Sequence, residues 1–137
     1  MAAAFALGAE GVQIGSRFIT TQESSAHINF KNAIVEAKEG DTQLSLKQLT
    51  PVRLLKNSFS EKVNELEKKG ASVEELSNLL GRGRAKKGMF EGDLVEGELE
   101  IGQVSGAIDK IQTVKEVVDE IVAEYNLVIK TLEGNYL

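Results

Sequence analysis

"GAEGVQIGSRF", residues 8–18, has the grammar of a turn, a short apolar strand, a second glycine break and the start of a helix. Val12 and Ile14 alternate with Gln13, the period of a strand with one buried face. A lone strand leaves its own N–H and C=O groups unpaired, and each such group costs about 1–3 kcal/mol when buried. The stretch therefore demands partners. No other segment offers a matching parallel strand. Helix, strand, helix is the repeating unit of a parallel sheet or barrel, and one copy of it is visible here. That reading puts the chain in the α/β class, although most of its length is helical.

On the amino-terminal side, "AAAFAL" (2–7) is helix-forming sequence, and Gly8 stands where a left-handed C-terminal cap belongs. On the other side, Phe30, Ala33, Ile34 and Ala37 recur at helical spacing, which predicts an amphipathic helix from Ser25 to Gly40. His27 falls in its first turn as a packing or capping residue rather than a ligand. "DTQLSLKQLTPVRLL" (41–55) alternates Leu44 and Leu46 and carries Pro51, the single proline, so it reads as extended segments or short strands. Ser58 with Glu61 and Ser72 with Glu75 form S-x-x-E capping boxes, opening helices that stop at Gly70 and Gly81. These helices define a compact helical subdomain over about 58–91. Gly92, Gly97, Gly102 and Gly106 punctuate "EGDLVEGELEIGQVSG" (91–106) and mark a functional loop. Thr113 and Glu116 open the last helix, whose apolar face runs through Val114, Val117, Val118, Ile121, Val122, Tyr125, Val128, Ile129 and Leu132 to Gly134.

At 137 residues, with 42% hydrophobic content, the chain has the size and composition of one globular domain. No apolar run approaches the ~18 residues of a membrane span, and "MAAAFALGA" lacks the basic start of a secretory signal, so a cytoplasmic, non-membrane protein is expected. There is no cysteine and one histidine, which removes thiolate and imidazole-rich metal sites. A net charge of −5 argues against nucleic acid as a partner. The basic cluster Arg82–Lys87 is too small to overturn this and reads as a solvated helix end.

The runs "MAAAFALGAEGVQIGSRF", "ESSAHINFKNAIVEAKEGDT", "PVRLLKN" and "GELEIGQVSGAIDKI" together resemble the C-terminal part of the nitronate monooxygenase family. This family, formerly the 2-nitropropane dioxygenases, includes the FMN-dependent enoyl-acyl carrier protein reductases of fatty-acid synthesis. The resemblance implies the C-terminal part of an FMN-binding TIM barrel, with residues 1–8 as the seventh helix and Gly11 to Gly15 as the eighth strand. Residues 1–40 would end the barrel, 41–112 would form an inserted helical and loop region with the glycine-rich active-site loop, and 113–137 would close the chain. The missing partners of "GVQIG" would then be the first seven strands. Met1 matches an interior position of the family, so a C-terminal fragment, inactive alone, is expected.

By the same resemblance, Gln13, Ile14, Gly15 and Ser16 hold the FMN phosphate. A glycine lets the backbone approach the anion, and a following hydroxyl residue donates to it. The family usually has Thr where Ser16 stands, and the donor is kept. A side chain at Gly15 is expected to push the backbone from the anion and to strain a conformation suited to glycine. Arg17 either adds charge near the phosphate or forms a salt bridge fixing the helix start. Gln103, in the glycine-rich loop, is a weaker candidate for contact with flavin or substrate. The family's catalytic histidine belongs to earlier strands and His27 does not match it, so no catalytic residue is named.

Three functions compete. The first is part of a flavoprotein that oxidises alkyl nitronates with O₂. The second is part of an enoyl-thioester reductase, with NAD(P)H as a further cofactor and an acyl thioester as substrate. The third is a non-enzymatic helical interaction module. Surfaces that have lost their barrel also make the isolated chain a candidate homo-oligomer.

Overall fold

A computed structural model describes residues 1–134. Its central element is the hairpin of β1 (Thr42–Ser45) and β2 (Val52–Leu55), antiparallel in the register Thr42↔Leu55 to Ser45↔Val52. This matches the extended reading of residues 41–55. The turn between the strands begins at Leu46, whose φ of +56° is tolerated by a side chain buried in the core below.

Two helices cover one face of the hairpin. α4 (Ser58–Lys68) starts one residue earlier in its capping frame than S-x-x-E suggested. Asn57, in extended conformation, accepts a hydrogen bond from Ser60 N–H at 2.9 Å, and the Ser60 hydroxyl accepts one from Asn57 N–H at 2.9 Å. That reciprocal pair forms the box in place of Ser58 and Glu61. α5 (Val73–Leu80) is capped as read: Ser72 Oγ accepts from Glu75 N–H and the Glu75 carboxylate accepts from Ser72 N–H. Leu46, Leu54, Phe59, Val63, Ala71 and Leu76 close this core. Arg84 then ties off α5, with Nε and Nη2 donating to the carbonyls of Leu80 and Leu79 and its guanidinium lying 4.4 Å from the Phe59 ring centroid. The basic cluster is thus not simply a solvated helix end: its central arginine is half-buried structure.

A second core gathers around α3 (Ile28–Glu36), where Phe30 and Ile34 meet Leu55, Leu99, Ile101 and Ile108. The helix is shorter than the 25–40 expected, because Ser24 Oγ turns the chain by accepting from Ala26 N–H and His27 is the N-cap rather than a first-turn residue. His27 Nδ1 accepts from Asn29 N–H at 3.1 Å, the capping role foreseen for it. The glycine-rich stretch passes beneath. Leu55 N–H donates to Leu99 C=O and Ile101 N–H to Arg53 C=O, so residues 99–101 run as an extra edge beside β2. Gly97 makes this possible, since a Cβ there would overlap the Gly88 backbone and the Asp93 carbonyl.

α1 (Ala2–Ala6) ends at Gly8, which takes φ +93° as the left-handed stop expected of it. Residues 11–15, by contrast, form no strand. They have no ladder partner among the described residues, and Val12 and Ile14 are 40% and 37% exposed. The alternation survives, but the pairing that would make it a strand is missing. The last element, α6 (Val114–Gly134), opens on the predicted Thr113–Glu116 box. Of its long apolar face Val117 alone is buried, while Val118, Val122, Val128 and Leu132 stay exposed. Tyr125 meets Phe5 of α1 edge to face, 5.5 Å between centroids. No helix among the described residues is long and apolar enough to cross a membrane.

Candidate functional site

The site is built at α2 (Ser16–Ile19), a single turn entered through Gly15. Phe18 N–H closes onto Gly15 C=O at 2.9 Å, and the N–H groups of Gly15, Ser16 and Arg17 find no acceptor among the described residues. These are the orphan donors that open any helix, and here they are available to an anion. Gly15 has φ −104°, a region open to any residue, so the expected backbone strain is absent. A Cβ at Gly15 would meet nothing within 4 Å, so packing in this chain does not require glycine there either.

Ser16 Oγ accepts a hydrogen bond from Gly102 N–H at 3.0 Å, which joins this turn to the glycine-rich loop across 86 residues of sequence. The hydroxyl keeps its own proton to donate. Gly15, Ser16, Pro51, Arg53, Glu100 and Gly102 line one open cleft of about 460 Å³. Two of the four phosphate candidates therefore stand in it. Ile14 instead lines a neighbouring cavity of about 680 Å³ between α1 and α6, together with Arg17, Tyr125 and Val128. Gln13 is exposed. Gln103 is exposed too, opening a 3₁₀ turn (Gln103–Ala107), and it is the backbone of its neighbour Gly102 that reaches Ser16.

Arg17 resolves in favour of the salt bridge. Its guanidinium donates to Gln112 Oε1 and to Glu120 Oε2, the latter at 3.1 Å, pinning α2 to α6. Hydrogen bonds from Lys110 and then from Arg17 hold the Glu120 carboxyl below the usual carboxylate range.

Two cations escaped the sequence reading. Lys31 is buried, and its ammonium donates to the carbonyls of Thr21 at 2.7 Å and Ser24 at 2.8 Å, and more distantly to Gln22. It clamps the turn that follows α2. Gln22 N–H in turn donates to Gln112 C=O, and the Glu23 carboxylate accepts from Val114 N–H at the start of α6. Arg53, on β2, donates through Nη1 to Thr42 Oγ1 at 3.2 Å and has no carboxylate at ion-pair distance among the described residues. A lone arginine between Pro51 and two leucines was the available signal. Among the described residues, no three His, Asp or Glu side chains gather as a metal site.

The sequence profile of the nitronate monooxygenase family matches residues 1–124. Over 93 residues the chain is 38% identical to a probable nitronate monooxygenase of Staphylococcus saprophyticus, covering 64% of this chain and 26% of that protein. Its fold superimposes on FabK from Thermotoga maritima with a TM-score of 0.89 and 38% identity, covering 100% of this chain and 43% of that one. Nitroalkane oxidase from Streptomyces ansochromogenes is similar at a TM-score of 0.70 and 26% identity, over 96% of this chain and 37% of that one. The chain thus spans less than half the length of each of these relatives.

Proposed function

Because the chain belongs to the nitronate monooxygenase family, we propose that it is the C-terminal, phosphate-holding part of an FMN-dependent oxidoreductase of nitronate monooxygenase type. In this reading residues 1–40 end the barrel, 41–112 form the inserted region and 113–137 close the chain. The observation that carries it is the Gly15–Ser16 turn. It offers free N–H donors, a hydroxyl proton and no side chain at the mouth of one cleft, which is the donor set a phosphomonoester needs.

FMN, when bound, would supply two-electron transfer chemistry next to the substrate. The chain's own residues bind and orient. The amides of Gly15 and Ser16 would hold the phosphate, and the Ser16 hydroxyl would donate one more hydrogen bond while its oxygen accepts from Gly102 N–H. Gln13 and Ile14 lead into that turn, and Gln103 sits beside Gly102 where the glycine-rich loop meets it.

A second reading, the enoyl-thioester reductase using NAD(P)H, is favoured by the higher likeness to FabK, 0.89 in TM-score against 0.70 for the nitroalkane oxidase. Two chimeras test both. In each, this chain replaces the matching part of one relative, the Thermotoga maritima FabK or the Streptomyces ansochromogenes nitroalkane oxidase. Flavin absorbance in the purified chimeras supports the phosphate role, and the partner barrel that turns over, with enoyl thioester or with nitronate, identifies the chemistry this chain serves. Folded but colourless chimeras would defeat both readings and leave the interaction module.

A further inference from the structure

A phosphomonoester at the Gly15–Ser16 turn needs a counter-charge, and the turn's own arginine is not available. Arg17 is engaged with Glu120 and Gln112. The chain as a whole carries −5, so no general positive field supplies the deficit. Among the residues lining the cleft there is one cation, Arg53, and one anion, Glu100.

We propose that Arg53 is a ligand-binding residue that pairs with the phosphate held at the Gly15–Ser16 turn, reaching it from the hairpin side of the same cleft. The inference rests on the reading of that turn as a phosphate site. Three features support it. First, the guanidinium has five N–H donors, and only Nη1 is used, on Thr42. Second, the backbone under it is held on both sides, by the β1 pairing opposite Leu44 and by Ile101 N–H donating to Arg53 C=O. The fork is therefore presented from a fixed strand rather than a loose loop, which suits two-pronged contact with phosphate oxygens. Third, Glu100 shares the cleft and repels an anion, so Arg53 offsets that carboxylate as well as the ligand. A half-buried arginine without a carboxylate partner is otherwise hard to place on a strand whose next two residues are core leucines.

The test titrates the flavin-free chimera that carries these residues on the Thermotoga maritima FabK barrel with FMN and, separately, with riboflavin, which lacks the phosphate, following Ser16 N–H and Arg53 Nε–H by nitrogen-15 NMR. FMN should shift both signals and riboflavin neither. Arg53→Gln should weaken FMN binding about ten-fold, the range of a hydrogen bond to a charged group, and leave riboflavin binding unchanged. Arg53→Lys should recover part of the loss, and Glu100→Gln should tighten FMN a few-fold. If FMN still shifts Ser16 while Arg53→Gln binds it like the parent, the inference fails and the phosphate turn stands. Equal weakening of FMN and riboflavin in Arg53→Gln would mean the strand had been damaged, and would also overturn it. If FMN shifts neither signal, the phosphate turn fails and the inference fails with it.

Discussion

The hairpin with α4 and α5 and the pair α1–α6 are both apolar-patterned, yet they end in opposite states. In the first, an 11-residue helix buries Phe59 and Val63 completely against Leu54 and Leu76. In the second, a 21-residue helix buries Val117 and leaves most of its stripe exposed, over a cavity lined by Ile14, Ile121, Tyr125 and Val128. The difference lies in where the complementary surface comes from. α4 finds it within a few dozen residues of chain, whereas α6 meets little beyond Phe5 and the α2 turn. Amphipathic spacing reports which face a helix can bury, and only a partner decides whether it does.

The sharpest way to test this contrast is at its buried end. Phe59→Ala should cost about 3–5 kcal/mol in chemical denaturation, since it empties the centre of the hairpin core and removes the ring beneath Arg84. A cost near zero would show that this region is not the better packed of the two. Ser72→Ala removes the N-cap of α5 and should cost about 1 kcal/mol by the same measurement.

A smaller effect, of opposite sign, is expected at Glu98. Burial, followed by the neighbouring Glu100 charge, pushes its carboxyl above the ordinary 4.5. The folded state therefore holds that proton more tightly than the unfolded one, so the contribution is favourable in acid and is lost as pH rises from 4.5 through the raised folded value. Glu98→Gln should accordingly raise the melting temperature at neutral pH and leave it unchanged in acid. A parent and variant that differ equally at both pH values would refute it. Smallest of all, Val128→Ala on the half-exposed face of α6 should change stability by less than ~0.5 kcal/mol. A concentration-dependent loss of several times that would break the comparison, because it would mean a second copy of the chain covers the face in solution.

Local signals were the legible part of this fold. Gly8, Ser72 with Glu75 and Thr113 with Glu116 act within one turn of chain, and each is found where its spacing placed it. The frame of α4 slipped by one residue because "NSFSE" satisfies two capping patterns, Asn57 with Ser60 and Ser58 with Glu61, and backbone geometry selects between them. Residues 99–101 were read only as part of a loop. Their alternation, Leu99 and Ile101 in and Glu100 half out, is a short edge that the surrounding glycines disguised. The Gly15–Ser16 turn was picked out by the family resemblance rather than by its own few residues, and its link to Gly102, the diversion of Arg17 to Glu120 and the placement of Arg53 all join residues far apart in sequence. No local pattern carries that information.

The ammonium of Lys31 sits among three backbone carbonyls and is about 5% exposed, unlike the solvent-facing lysines at 62, 86, 87, 110 and 115. An amine buried in this way is shielded from acylating reagents for as long as the turn after α2 stays closed. Mild amine modification followed by peptide mass mapping should therefore leave Lys31 unlabelled while the surface lysines react. The moment at which it begins to label, on warming or on adding denaturant, times the opening of the segment that holds α2 in place.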